Sequence, residues 1–454
     1  MEVMIANPEV ADGPELARPI TSVPTPPDSL EEAGLSDEFV GGLVLKALNV
    51  RGTALGFDLF DMLALPMGVL DEVIQQLQEQ RLVEVHTTKG PRRGEWVFKL
   101  TGAGRTRASE ELAMCRYVGP APVPFEDFRK WVELQSAERA RVTEQDLQEA
   151  LDGIVVPDSM VEQLGPAINS GRSLFLFGDP GNGKTLLAER IARLFGDRYY
   201  VPYAVLVDGS VMVVHDPVHH HFGLPDEAAA EAPVSRNGVP SDILRALPEH
   251  DRRYAEARRP VVITGGELTL DQLDLQWDPM GRMYQAPPQL KAAGGVLVVD
   301  DLGRQRVPVR DLLNRWVVPL EHREDYLTLG TGKKIVVPFD CFVIFSTNLD
   351  PSELGDEAFL RRIHYKIEVT DPDRGEYERI FRACCDEREI PFETYALEYL
   401  FDEVYGKGTA EPRRCHPRDV LDHLQNLAEY RREPVRLSRD LIEQACRSYF
   451  LPLS

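Results

Sequence analysis

One stretch constrains this chain more than any other. From Leu174 to Phe195 it runs LFLFGDPGNGKTLLAERIARLF. An apolar, strand-like run breaks into a glycine-rich turn. A helical apolar pattern follows, opened by a lysine and a threonine. Gly178, Gly183, Lys184 and Thr185 satisfy the spacing G-x-x-x-x-G-K-[ST]. Such glycines let backbone N–H groups turn inward onto phosphate oxygens, and the helix that follows points its positive end at the same anion. The predicted cradle is Gly178, Asp179, Pro180, Gly181, Asn182, Gly183, Lys184, Thr185 and Leu186. Lys184 is expected to reach the β- and γ-phosphates, and the Thr185 hydroxyl to ligate Mg²⁺.

Chemistry-bearing residues recur downstream at strand tips. In GGVLVVDDLGRQ, Val296 to Val299 form an apolar strand suited to burial on both faces of a parallel sheet. It ends in Asp300 and Asp301. A carboxylate beside a phosphate loop holds hydrated Mg²⁺, which is the role expected of Asp300; a second one, Asp301, orients and deprotonates the attacking water. The strand CFVIFSTN ends in Asn348, an amide able to bond that water or the γ-phosphate. DEAFLRRIHYKIEV sets Arg361 and Arg362 side by side before another strand, and RRCHPRDVLDHL puts Arg418 in the first turn of a helix. The helix dipole disfavours an arginine there, which points to an anion.

The remainder divides by pattern. Residues 1–35, rich in Pro, Glu, Ala and Ser, are expected to form a tail. From 36 to 116, three helical patterns and a strand–turn–strand resemble a winged helix-turn-helix, with Asp37 as N-cap of the first helix and Lys89, Arg92 and Arg93 at the wing tip. The third helix carries Asp71, Glu72 and Glu79 where a DNA reader needs cations, and the net charge is −23. Both favour protein docking over nucleic acid. Residues 117–144, proline-rich at their start, are expected to be a linker or strap. No apolar run approaches the roughly 20 residues that would span a bilayer. Neither a secretory leader nor a CxxC pair is visible, and a cytoplasmic setting is expected.

The order phosphate loop, acidic strand tip, polar strand tip, arginine pair and C-terminal arginine resembles the AAA+ ATPases. The segments DLLNRWVVPLEHREDYLTLGTGKKIVVPFDCFVIFSTNLDP (311–351) and DEAFLRRI are similar to the MoxR-like branch. That resemblance implies an α/β P-loop NTPase core over 145–370, a parallel sheet and an α-helical lid over 371–454. It implies ATP and Mg²⁺ as ligands and a homo-oligomeric ring, usually a hexamer. Arg362 is then the arginine finger offered to the neighbouring subunit, with Arg361 the alternate, and Arg418 the second sensor beside the first, Asn348. The implied activity is ATP-driven remodelling or assembly of a protein client; MoxR-like clients often carry von Willebrand A domains. A nucleotide-regulated DNA-binding protein and a ring cemented by slowly hydrolysed ATP are the alternatives.

Two departures stand out. The family's catalytic Glu is here Asp301, one methylene shorter, which draws the carboxylate back by about 1.5 Å and suits slow or switch-like turnover. The gap from Lys184 to Asp300 is about twice what the family core needs, which defines an insertion over about 200–290. Within it, YAVLVDGSVMVVHD reads as a hairpin turning at Asp208-Gly209. His215, His219, His220 and His221 cluster after it: a loop or subunit contact before a nucleotide or substrate contact or a metal site, since Asp216 alone, with no cysteine or second carboxylate–histidine cluster nearby, is weak support for a metal. A strand is expected at Val261–Thr264, followed by Gly265 and Gly266. Substrate engagement and elaboration of the ring contact are the two roles open to the insertion.

Overall fold

The computed structural model describes residues 23–136, 142–192, 194, 198–221, 250–351 and 360–450. The first unit runs α1 (Leu30–Ala33), α2 (Asp37–Arg51), β1 (Thr53–Leu55), α3 (Gly56–Leu63), α4 (Met67–Glu79), β2 (Val83–Thr88), β3 (Trp96–Leu100) and α5 (Gly102–Met114). The three helices and the hairpin expected here are all present, and β3 pairs antiparallel with both β1 and β2. The cap of α2 is Ser36, not Asp37: the Ser36 hydroxyl accepts the Phe39 N–H at 3.2 Å, and Asp37 lies one position inside the helix. The expected tail is shorter than 1–35. Residues 1–22 lie outside the described residues, but Ala33 and Leu35 are buried in this unit's core. The Arg253 guanidinium donates to the Ala33 carbonyl at 2.8 Å, and the Asp251 N–H holds the segment before it by donating to Pro24 O at 2.6 Å.

The stretch read as a linker is structural. It forms β4 (Val123–Pro124) and α6 (Phe125–Leu134), whose Val123, Phe128 and Val132 are buried. They belong to a second core built mostly from the insertion: β6 (Tyr199–Pro202), β7 (Ala204–Val207), β8 (Ser210–Val213), β9 (Tyr254–Ala257), β11 (Gln276–Asp278) and β12 (Met283–Gln285). β7 and β8 form the predicted hairpin about Asp208-Gly209, in a sheet of order β11-β12-β8-β7-β4. Residues 222–249 of the insertion lie outside the described residues.

The central sheet carries β5 (Leu174–Phe177), β10 (Val261–Thr264), β13 (Val296–Val299), β16 (Phe342–Thr347) and β17 (Tyr365–Glu368), in order β10-β13-β16-β5-β17 and all parallel. Side chains alternate between its faces. Leu174, Leu176, Val296, Val298, Phe342 and Ile344 pack on one side with α7 (Glu144–Ala150), α8 (Asp158–Asn169) and α9 (Lys184–Ala192). Phe175, Leu297, Val299, Val343 and Phe345 pack on the other, with α11 (Val309–His322) and its buried Trp316. Strands buried on both faces read as continuous apolar runs, which is why they were legible. The hairpin β14 (Glu324–Thr328) and β15 (Lys334–Pro338) leaves this layer and buries Leu327, Ile335 and Val337 in the insertion's core. A helical lid follows over Arg374–Glu387, Thr394–Tyr399, His416–Arg431 and Arg439–Tyr449, with its own apolar core. The molecule has an α/β P-loop NTPase fold.

Candidate nucleotide-binding and catalytic site

In an open parallel sheet, ligands bind beyond the carboxyl ends of the strands, where the strand order reverses. Here that point lies between β5 and β16. The phosphate loop leaves β5, Asp300 and Asp301 follow β13, and Asn348 follows β16. All of these residues except Gly178 and Asp179 line one cavity of about 770 Å³, with Leu186 at its exposed rim.

Hydrogen bonds join the predicted residues directly. Lys184 Nζ donates to the carbonyls of Gly178 and Asp179 at 2.9 and 3.0 Å and to Asn348 Oδ1 at 2.9 Å. Asn348 Nδ2 donates to Asp301 Oδ1 at 3.2 Å. Thr185 Oγ1 donates to Asp300 Oδ2 at 3.0 Å. Asn348 therefore bridges the lysine and the expected catalytic carboxylate, and the two expected Mg²⁺ ligands already touch. Burial pushes the Lys184 pKa below the ordinary lysine value, while Asp300, Asp301 and Asp179 act against that shift. Asp301 has φ 51°, the left-handed region, at a cost of about 1 kcal/mol for a residue other than glycine. The turn is held by the Leu302 N–H donating to Ser346 O at 2.8 Å and Thr347 Oγ1 donating to Leu302 O at 2.6 Å. Strain of this kind concentrates at functional sites.

The lid closes the cavity with residues that motif spacing missed. Cys415 N–H donates to Gly181 O at 2.9 Å, and Gly181 sits at φ 85°, a backbone region that strains residues with a Cβ. Asn182 Nδ2 donates to Asp371 Oδ1 at 2.7 Å. The Arg413 guanidinium donates to Asp179 Oδ2 at 2.6 Å and also to Asp371. Arg414 donates to Glu376 Oε2 and to the Val155 carbonyl, both at 2.8 Å. Ile154 and Val156 from the base and Ile380 and Cys384 from the lid form the apolar end of the cavity. The one sequence signal for this clasp was the density of arginines in RRCHPR.

The predicted arginines fare differently. Arg418 lines the cavity, but its side chain is 62% exposed and bonds the adjacent Asp419 Oδ1 at 3.0 Å. Arg361 and Arg362 do not line the cavity. Arg361 is exposed, whereas Arg362 Nε donates to Glu321 Oε1 of α11 at 2.7 Å. Residues 352–359, which include the start of DEAFLRRI, lie outside the described residues. In the histidine cluster, His220 is buried with both ring nitrogens engaged, Nδ1 accepting the Asp216 N–H at 2.8 Å and Nε2 meeting Lys291 O at 2.9 Å. Those contacts make it a packing element. At the wing, Arg93 is turned onto α4, donating to Gln78 Oε1 at 2.7 Å, which withdraws a cation from any DNA-facing surface.

The cradle suits a phosphate chain. Gly183 has φ 83° and nothing within 4 Å of where a Cβ would stand, so the bend is open to a ligand. The paired Thr185 hydroxyl and Asp300 carboxylate are hard oxygen donors of the kind Mg²⁺ takes.

A family described as a domain of unknown function, DUF8689, matches residues 373–448, the helical lid. No curated protein matches the chain. Among solved structures, NtrX from Brucella abortus is similar at 13% identity and TM-score 0.39, over 65% of this chain and 56% of that one. NtrX in complex with ADP is similar at 15% and 0.38. A RuvB point mutant from Thermotoga maritima is similar at 14% and 0.38, over 66% and 71%. The chain thus spans little more than half the length of the NtrX structures. These superpositions are too partial to add to the strand order described above.

Proposed function

We propose that the chain is an AAA+ ATPase of MoxR-like type that binds ATP with Mg²⁺, assembles into a homo-oligomeric ring and remodels a protein client. The observation that carries the reading is the Lys184–Asn348–Asp301 chain of hydrogen bonds beside the Thr185–Asp300 pair. Lys184 supplies positive charge to the β- and γ-phosphates, and Thr185 and Asp300 hold Mg²⁺. The ion, when bound, offsets charge on the phosphate oxygens. Asp301 accepts the proton of the attacking water, and Asn348 keeps that carboxylate and the lysine in register. Arg361 and Arg362, outside the chain's own cavity, serve a neighbour's site; the exposed Arg361 is the freer of the two.

The client reading draws on the resemblance to MoxR-like proteins, whose clients often carry von Willebrand A domains. The acidic charge and the inward-turned Arg93 support a protein client over DNA. Affinity capture with Asp301→Asn, loaded with ATP, should retain a client that Lys184→Ala releases. Equal capture by both variants would separate the client from nucleotide and sink the remodelling reading.

A further inference from the structure

Asp179 poses a charge problem. It is a carboxylate inside a loop built to hold polyanionic phosphates. Around the cradle stand Asp179, Asp300, Asp301 and Asp371, against the single cation Lys184 from the loop itself. Mg²⁺ would answer for Asp300. Among the described residues, no side chain of the base forms an ion pair with Asp179 or Asp371; the lid's Arg413 pairs with both. Arg413 Nη1 reaches Asp179 Oδ2 at 2.6 Å and also Asp371 Oδ1, which accepts Asn182 Nδ2 as well. The Arg413 side chain is only 19% exposed, whereas that of Arg418 is 62% exposed and paired with Asp419. Burial works against the charge on Arg413, yet its hydrogen bonds to Asp371 and Asp179 raise its pKa above the ordinary arginine value. The contact is fixed from behind by Cys415 N–H on Gly181 O and by His416 Nδ1, which accepts the Arg413 N–H at 3.2 Å.

We propose that Arg413 is a positioning residue for nucleotide binding: it offsets the negative charge of Asp179 and Asp371, so that less repulsion meets the triphosphate at the phosphate loop. This rests on the reading of the loop as a nucleotide site. Because Arg413 belongs to the lid and Asp179 to the base, the counter-charge is in place only while the lid loop is seated.

The test is ATP titration of the full chain by calorimetry. Arg413→Ala should bind ATP about tenfold more weakly, the size expected when carboxylates near the phosphates lose their counter-charge. Adding Asp179→Asn should restore most of the loss, and the Arg413→Ala defect should shrink as salt rises. A purely structural arginine would show neither rescue nor salt dependence, and that pattern overturns the proposal, as does parent-like affinity in Arg413→Ala. Should Arg413→Ala fail to fold, Asp179→Asn alone decides: it should bind ATP at least as tightly as the parent, and weaker binding overturns the proposal. A parent chain that binds no ATP instead removes the underlying nucleotide reading.

Discussion

At the scale of single residues, the site is a set of charged and polar groups held in mutual contact. Lys184 is partly desolvated and spends its three donors on two carbonyls and Asn348. Phosphate oxygens replace those acceptors with stronger, charged ones. Lys184→Ala should therefore abolish most ATP affinity in the same titration, and unchanged affinity would remove the phosphate-loop assignment. Asp301 occupies a strained backbone conformation with its carboxylate aimed at Asn348. Asp301→Asn keeps the shape and the amide contact but cannot accept a proton. ATP should stay bound while turnover falls by roughly 10²–10⁴-fold. A phosphate-release assay at the parent rate would mean that another carboxylate is the base.

At the scale of elements, two pieces join the site to the rest of the chain. The hairpin β14–β15 directly precedes β16, whose end carries Asn348, and it is rooted in the insertion's core through Leu327 and Val337. Gly330 N–H donates to Tyr284 Oη at 2.6 Å and Thr328 N–H to Asp274 Oδ1 at 2.8 Å, tying hairpin and insertion together. Leu327→Ala removes a fully buried side chain and should cost about 2–5 kcal/mol in the denaturation transition that includes this core. A loss under about 1 kcal/mol would show that the hairpin is only loosely seated. The lid loop is the second piece. Burial holds the His416 pKa down to about 4, from 6.5, and its neutral Nδ1 accepts from Arg413 N–H and lies 3.0 Å from the Tyr405 hydroxyl. The folded value lies below the unfolded one. The stabilisation is thus complete above about pH 6.5 and is lost as pH falls towards about 4. His220 shifts in the same direction, also to about 4. Thermal midpoints should fall over that window, and less so in His416→Asn. An identical fall in the variant would assign the pH dependence to other groups.

At the scale of the whole molecule, the first unit and the insertion are joined by polar contacts as well as by chain. Arg252 donates to Asp61 at 2.8 Å, Ala121 N–H to Leu63 O at 2.7 Å, and Arg116 N–H to Gly281 O at 2.9 Å. The first unit is thus seated on the insertion, which in turn packs on the hairpin β14–β15. A ring would complete the site from outside. In a mixture of Lys184→Ala with Arg361→Ala, Arg362→Ala chains, each inactive alone, some interfaces pair an intact loop with intact arginines. Turnover should return once labelling shows that subunits exchange. Continued inactivity after exchange would mean that the finger role, and with it the shared site, is wrong.

The sequence by itself determined the phosphate loop, the strand tips at Asp300, Asp301 and Asn348, and the apolar strands that carry them. These signals are local: glycines where a turn needs them, and apolar runs where a parallel strand is buried on both faces. Local patterning also set the hairpins at Asp208-Gly209 and at Gly330–Gly332. Tertiary structure alone decided the rest. Val123, Phe128 and Val132 look like linker residues until a sheet built from far along the chain covers them. Residues 30–35 look too polar to order until they pack into the first core, where Arg253 pins the Ala33 carbonyl. Arg413 and Asp179 stand far apart in sequence, and a charge pair across such a distance leaves no period or spacing to read. Only closure of the lid onto the phosphate loop makes them neighbours.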